Sequence, residues 1–353
     1  MATRHRTLAR QRDSSEAPAR RAILLLSGGA DSTLAMQLML EQGIELLALN
    51  FRTCFCTCSR DGCGAGLRET CEGLGVPLRS IFLGDDYLRM IAEPRFGYGK
   101  GMNPCIDCRV LILRRAREAM LAEGASFVVT GEVVGQRPMS QRMQQLNIIE
   151  RESGLRGRLL RPLSAKLLPP TYPELAGIVD RSGLLAIQGR SRKPQIELAQ
   201  KLGFHEIPCA SGGCLLTIPR YAEKVRDLYS HADGGVPGVN DAKLLRVGRH
   251  FRFSPEYKVV VGKDHSDNLA LGALAQRDDL VFSPPEEING PVVLTRGRVP
   301  ASQWPRIASL LLRYGDIDPG ERVEVSVRRG VDGLLDTVTA EAMPTDEPPR
   351  YLL

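Results

Sequence analysis

The residues of this 353-residue chain that could do chemistry fall in three places, and the first is Ser27-Gly28-Gly29-Ala30-Asp31-Ser32. A glycine pair lets the backbone approach a ligand with no Cβ in the way. The N–H groups of such a turn, and of a helix that follows it, converge on one spot. That spot takes phosphate oxygens, and the hydroxyls of Ser27 and Ser32 add two more donors. Asp31 is out of place beside phosphate alone and makes sense if it holds Mg2+. The loop has neither the Gly-Lys-Ser/Thr ending of one common phosphate loop nor the third glycine of a dinucleotide fingerprint.

The second place is Pro104-Cys105-Ile106-Asp107-Cys108-Arg109, which puts two thiols at the expected start of a helix. The helix dipole and Arg109 both favour the thiolate, the form that binds metal or attacks sulfur. A further thiol, Cys214, closes the glycine-rich run that begins at Cys209. Three thiolates from Cys105, Cys108 and Cys214 suffice to hold a 4Fe-4S cluster with one iron open. Zinc would ask for a fourth ligand, which Cys209 could supply. The third place is Cys54-x-Cys56-x-Cys58 with Cys63 and Cys71. Cys54, Cys58, Cys63 and Cys71 are candidates for a structural Zn2+ site or another cluster. Reduced thiols and a sulfur relay are the alternatives there.

These residues need elements to position them. Residues 22–26 form an apolar run of the length a buried parallel strand uses, and Leu34, Ala35, Leu38 and Met39 repeat at helical spacing. Gly43 stops that helix, and residues 44–49 read as a second strand. Asn50 and Phe51 then fall at a strand's carboxyl end, where an adenine ring could rest. Further strands are expected at 78–83 and 126–130, with a helix from about 108 to 123 between them. This alternation predicts an α/β fold, a doubly wound parallel sheet. Helical patterns at 173–181, 193–202 and 219–229 close the first domain.

Residues 231–238 have linker composition. Beyond them, strands at 257–261, 292–294 and 322–327 and helices at 267–275 and 304–312 predict a second, smaller α+β domain. The expected organisation is a disordered basic tail over 1–20, a first domain over 21–232 and a second over 239–353, with residues 344–350 loose.

Net charge is +6, which suits a polyanionic partner without requiring one. The first 20 residues carry arginines and no apolar h-region, and no apolar run approaches the roughly 18 residues that span a bilayer. A soluble, cytoplasmic protein with no membrane partner is expected. In that compartment the nine cysteines are reduced thiols, metal ligands or catalysts rather than disulfides.

At Ser27, Gly28, Gly29, Asp31 and Ser32 the first loop resembles the Ser-Gly-Gly-x-Asp-Ser signature of PP-loop ATP pyrophosphatases. That resemblance implies cleavage of ATP between the α and β phosphates. Pro104-Cys105-x-x-Cys108 and the distant Cys214 resemble the cysteines of PP-loop tRNA thiolases that use an iron-sulfur cluster. The Asn103-Pro104 pair also resembles 2-thiouridylases. Thr130-Gly131-Glu132-x-x-Gly135-Gln136, Ser140-Gln141 and Arg161-Pro162-Leu163 resemble segments of 4-thiouridine synthetases, and Gly131 is thereby placed in the ATP site. Leu245-x-Val247-Gly248-Arg249-His250-Phe251 and Asp264-His265-Ser266-Asp267-Asn268 resemble the RNA-binding domain of the NFACT group, with Arg249 and His250 as candidate phosphate contacts.

The resemblance implies an ATP-dependent tRNA sulfurtransferase, with 4-thiouridine the favoured product. Its partners would be tRNA and a sulfide or persulfide donor, and a homodimer is allowed for. Cys214, Cys108 and Asp31 would be the catalytic residues. The sulfur would come either from a cluster or from a Cys214 persulfide that Cys108 resolves. The alternatives are a PP-loop ligase acting on a small molecule and a non-catalytic RNA-binding factor.

Overall fold

The computed structural model describes residues 19–57, 65–203, 213–318, 320–330 and 333–353. Cys58, Cys63, Cys209 and nearly all of the expected basic tail lie outside these residues. The chain divides into two compact units. The first comprises residues 1–51, 61–81 and 109–211, and the second comprises 52–60, 82–108 and 212–353.

The first unit is built on a five-stranded sheet. β1 (Arg21–Leu25) leads through α1 (Ala30–Glu41) to β2 (Glu45–Arg52), and α2 (Ala65–Gly73) leads to β3 (Leu78–Phe82). After α3 (Asp85–Ala92), α4 (Cys105–Ala122) leads to β4 (Phe127–Thr130). α5 (Met143–Ser153) then returns to the short β5 (Leu159–Leu160). The strand order is β3-β2-β1-β4-β5, and β1 pairs in parallel with β2 and β4.

Strands buried on both faces must be apolar throughout, which is why residues 22–26 read as an unbroken run. α1 is also enclosed: Leu34, Ala35, Met36 and Met39 are all at most 2% exposed. The chain leaves β1 toward β2 on one side and returns to β4 on the other. The crevice beyond the carboxyl ends of β1 and β4 is therefore the sheet's switch point, where open α/β sheets take ligands.

The helix expected over 173–181 is shorter than its pattern. Only α6 (Tyr172–Leu175) forms, because Gly177 adopts a left-handed φ of 67° and turns the chain. α7 (Lys193–Lys201) follows as expected.

The second unit contains α8 (Pro219–Ser230) and α9 (Val239–Leu244), then β6 (Arg249–Ser254) and β7 (Tyr257–Val261). α10 (His265–Leu274) precedes β8 (Leu280–Ser283) and β9 (Val293–Gly297). α11 (Trp304–Leu312) precedes β10 (Val323–Arg329) and β11 (Leu334–Ala340). These strands form a six-stranded sheet of order β11-β10-β8-β9-β7-β6, antiparallel at the pairs of β7 with β6 and β9 and of β10 with β8 and β11. α11 buries Ile307, Leu310 and Leu311 on a core with Phe251, Phe282 and Val325.

β6, β8 and β11 are additions to the strands the sequence pattern predicts. Just beyond residues 344–350, which are expected to be loose, the chain end is tied to the edge strand β6. Arg252 N–H donates to Tyr351 O at 2.9 Å, and Leu353 N–H donates to His250 O at 2.9 Å. An edge strand with unpaired backbone groups gains by such cover. Among the described residues no helix is long and apolar enough to cross a membrane.

Candidate active site

In the first unit, the loop after β1 has the geometry its glycines require. Gly28 sits at φ 80°, which a side chain resists, and the Leu67 side chain lies 3.2 Å from where a Cβ would stand. Gly29 caps α1 with extended backbone and no side-chain cap bond; the Ser32 N–H donates to Gly29 O at 3.1 Å, which leaves the N–H groups of Ala30 and Asp31 for a ligand. Ser32 is buried: its Oγ donates to Gly29 O at 2.9 Å, accepts Ser27 N–H at 3.2 Å and lies 3.2 Å from Ser27 Oγ. The two serines thus rigidify the loop as well as offering hydroxyls to it.

Asp31 accepts a hydrogen bond from Gln136 Nε2 at 3.1 Å. Gly131, just past β4, is pressed against this turn. A Cβ there would stand 2.5 Å from the backbone of Asp31 and Ser32. Asn50 is buried at the end of β2, where its Nδ2 donates to Leu26 O at 2.8 Å and its Oδ1 has no partner. Phe51 beside it is half-buried. The structure therefore brings Ser27 to Ser32 and Gly131 together, and it adds Gln136. In the sequence Gln136 stands only within a motif, and its carboxamide reaching a loop acid is a tertiary fact.

Behind this turn lies a charge cluster. Glu132, 3% exposed, accepts from Arg109 (Nε 3.0 Å, NH2 2.7 Å), from Arg161 Nε at 3.0 Å and from Thr130 Oγ1 at 3.2 Å. Burial alone would raise its carboxyl, but Arg109 and Arg161 outweigh that and hold it down at about 2. Arg161 also reaches Glu150 at 3.0 Å. In the sequence Arg109 reads as a thiolate stabiliser; in the structure its guanidinium donates two hydrogen bonds to Glu132.

The second unit gathers the thiols. Met102 N–H donates to Leu216 O at 3.0 Å, which joins the segment before α4 to the segment that carries Cys214. Gly101 permits this approach: its φ is 69°, and a Cβ would stand 2.3 Å from Leu216 O. Cys105 and Cys108 occupy the first turn of α4, and Tyr87 OH donates to Cys108 Sγ at 3.5 Å. Cys56 joins them, opposed to Cys214 in an antiparallel bridge.

Burial, and then the neighbouring Cys108, Cys105 and Cys56, push the Cys214 thiol up to about 12. A thiolate in that place needs a nearby positive charge, and a soft metal group supplies one. As the side chains are placed, no group of three His, Cys, Asp or Glu among the described residues is arranged to hold a metal ion. The fit to an iron-sulfur group therefore rests on donor chemistry, three soft thiols brought together from two distant segments.

Of the third sequence group, Cys71 packs in the first unit's apolar core at 1% exposure, and burial raises its thiol. Cys54 is buried in the second unit, where burial raises its thiol too. No spacing signal sets Cys56 apart, because in an extended strand Cys54 and Cys56 would share a face; the turn at Cys54 and Phe55 and the bridge to Cys214 distinguish it.

In the second unit's sheet, Arg249 lies over the Tyr314 ring at 4.8 Å. His250 is fully buried, with Nε2 2.8 Å from Val247 O, so its ring offers no exposed edge to a phosphate. Asp267 and Asn268 serve the backbone. Asp267 Oδ2 accepts Gly248 N–H at 3.1 Å, and Asn268 Oδ1 accepts Val292 N–H at 2.9 Å.

Residues 18–166 match the family model described as thiamine biosynthesis protein (ThiI), and residues 248–352 match the NFACT protein RNA binding domain. The chain is 23% identical to the tRNA-specific 2-thiouridylase MnmA of Marinobacter nauticus, over 94% of this chain and 87% of that one. It is 28% identical to the enzyme of the same name from Proteus mirabilis, but over only 37% of this chain and 38% of that one. A solved 4-thiouridine synthetase in complex with RNA and bound ATP covers 63% of this chain and 52% of its own, at 21% identity and a TM-score of 0.38.

Proposed function

We propose that this chain, a PP-loop protein of the tRNA thiouridine synthetase type with an NFACT-type RNA-binding domain, replaces a uridine carbonyl oxygen of tRNA with sulfur at the expense of ATP. The reading rests above all on the thiols: Cys214, distant in sequence from Cys105 and Cys108, is brought to them by the bond between Met102 and Leu216. The functional division follows the sequence, with the reaction in residues 21–232, RNA capture in 239–353 and a basic tail before both.

ATP phosphates would sit on the N–H groups and hydroxyls of Ser27 to Ser32. Asp31, steered by Gln136, would hold Mg2+. The unspent Oδ1 of Asn50 suits the exocyclic amine of adenine, with Phe51 beside the ring and Gly131 keeping the turn clear. A uracil carbonyl oxygen attacks the α-phosphorus and pyrophosphate leaves. The helix-terminal donors stabilise the charge that develops. Sulfur then attacks the activated ring carbon and AMP departs with the former carbonyl oxygen.

Cys105, Cys108 and Cys214 would hold a 4Fe-4S cluster, which when bound would present hydrosulfide. In the second route Cys214 itself carries the sulfur as a persulfide. The target base must leave its stack to reach the site. Arg249, stacked on Tyr314, is retained as an RNA contact. A 4-thiouridine product is the one favoured by the resemblance of Thr130 to Gln136, Ser140-Gln141 and Arg161 to Leu163 to 4-thiouridine synthetases.

Mass spectrometry of tRNA nucleosides with and without the gene tests the reading. Loss of one thionucleoside, restored by the native chain and not by Cys214→Ser, is the expected result. An unchanged thionucleoside profile would overturn it.

A further inference from the structure

Cys56 lies outside the three-thiol set that the sequence motifs single out, yet the backbone places it against Cys214. Thr57 N–H donates to Gly213 O at 3.2 Å, and Leu215 N–H donates to Phe55 O at 2.9 Å. These bonds are made by the neighbours of Cys56 and Cys214 and not by the two cysteines themselves. The pair therefore occupies the non-hydrogen-bonded type of antiparallel position. There the Cα atoms are about 4.5 Å apart and the side chains leave on the same face. A disulfide asks for a Cα separation of about 4.4–6.8 Å, so this pair can close one without moving the backbone.

The Cys56 side is also held in place. Thr53 N–H lies 3.3 Å and Thr53 Oγ1 3.4 Å from Cys56 Sγ. Arg246 NH1 donates to Cys54 O at 3.2 Å and to Cys56 O at 2.7 Å, which fixes the strand from behind. Phe55, fully buried between them in sequence, packs its ring against Tyr87 and Tyr221 at 6.1 and 6.3 Å between centroids.

We propose that Cys56 is a further catalytic thiol of this site, the one that resolves a persulfide on Cys214. The proposal rests on the thiolation reading in its second sulfur route. A small-molecule or protein persulfide donates its outer sulfur to Cys214. The Cys56 thiolate attacks Cys214 Sγ, a sulfur–sulfur bond forms between the two cysteines, and the bond to the outer sulfur breaks. That sulfur takes the electron pair and leaves as hydrosulfide, the nucleophile the adenylated base needs. The Cys56 proton passes to water. The two cysteine sulfurs have been oxidised and the transferred sulfur reduced, so a dithiol reductant resets the pair. Cys108, expected from the motifs to do this work, accepts a hydrogen bond from Tyr87 OH and is the rival resolving thiol that the disulfide map distinguishes.

The test treats the full reduced chain with glutathione persulfide, alkylates the remaining thiols, maps the disulfides by mass spectrometry and titrates the hydrosulfide set free. The expected result is a Cys56–Cys214 linkage with one hydrosulfide released for each. In Cys56→Ser and Cys56→Ala, both with native circular dichroism, the persulfide stays trapped on Cys214 and release is lost. A Cys108–Cys214 linkage, or undiminished release from both Cys56 variants, would overturn the proposal, as would failure of Cys214 to take up a persulfide. Any of these can occur while deletion of the gene still abolishes a thionucleoside, in which case the thiolation reading stands and only the role of Cys56 falls.

Discussion

Replacing Glu132 with glutamine removes one charge from the most enclosed ionic cluster of the first unit and keeps the side chain's shape. The carboxylate is 3% exposed and takes hydrogen bonds from both Arg109 and Arg161. Arg161 is itself 3% exposed, with one terminal nitrogen already unpartnered, so it cannot turn to water for compensation. Two estimates agree. Holding the carboxyl at about 2 rather than near 4.5 corresponds to about 3 kcal/mol, at about 1.4 kcal/mol for each tenfold in the protonation constant. Breaking one partner of a buried ion pair costs about 3–5 kcal/mol.

With a urea dependence of about 2 kcal/mol per molar, the unfolding midpoint of the first unit should fall by about 1.5–2 M. Far-UV circular dichroism follows that transition. The single tryptophan, Trp304, belongs to the second unit, so its fluorescence serves as an internal reference that should not move. The pH dependence carries the sign. Because the folded-state pKa lies below the unfolded one, the contribution is complete above about 4.5 and is lost as pH falls toward 2. Glu132→Gln should lack that loss. A midpoint within about 0.5 M of the native chain at neutral pH would refute the reasoning, since it would mean that Arg161 finds a partner without Glu132.

Gly131→Ala forces a Cβ to within 2.5 Å of the Asp31 and Ser32 backbone. Overpacking of about 1–3 kcal/mol spent on the loop should weaken ATP binding roughly five- to hundredfold, and unchanged calorimetric affinity would show that the loop yields freely. Gln136→Ala releases Asp31; loss of a hydrogen bond to a charged group, worth about 1.5–3 kcal/mol, should raise the Mg2+ concentration needed for ATP binding about tenfold or more, and an unmoved Mg2+ titration would separate Asp31 from the metal. Gly101→Ala should part the two cysteine segments, because its Cβ would meet Leu216 O at 2.3 Å. Hydrogen exchange at the Met102 amide reads this directly, and persistent protection would count against it.

Local pattern was enough for four of the first unit's five strands, the two-residue β5 excepted, and for the phosphate loop. A buried parallel strand is a continuous apolar run, and Ser-Gly-Gly-x-Asp-Ser carries its whole geometry within six adjacent residues. Strand β7 was legible because it is buried along its whole length, and helix α11 because it buries one stripe of its own residues. β6, β8 and β11 were not: Arg249–Ser254 breaks strict alternation at His250-Phe251 and becomes a strand by pairing with β7 and with the chain end. The helix pattern over 173–181 failed because it weighs apolar spacing and not the left-handed turn at Gly177.

What the sequence by itself determined was which residue types were on hand: an anion loop, three thiols with motif spacing, and an acid beside arginines. Only the tertiary structure decided which of them meet. Gln136 reaches Asp31 from 105 residues away, Arg109 pairs with Glu132, His250 is sealed in the core, and Cys56 faces Cys214 across a two-strand bridge. These pairings depend on chain segments distant in sequence and on backbone hydrogen bonds that any residue type can make. Their physical cause leaves almost no mark on the identity of the residues involved.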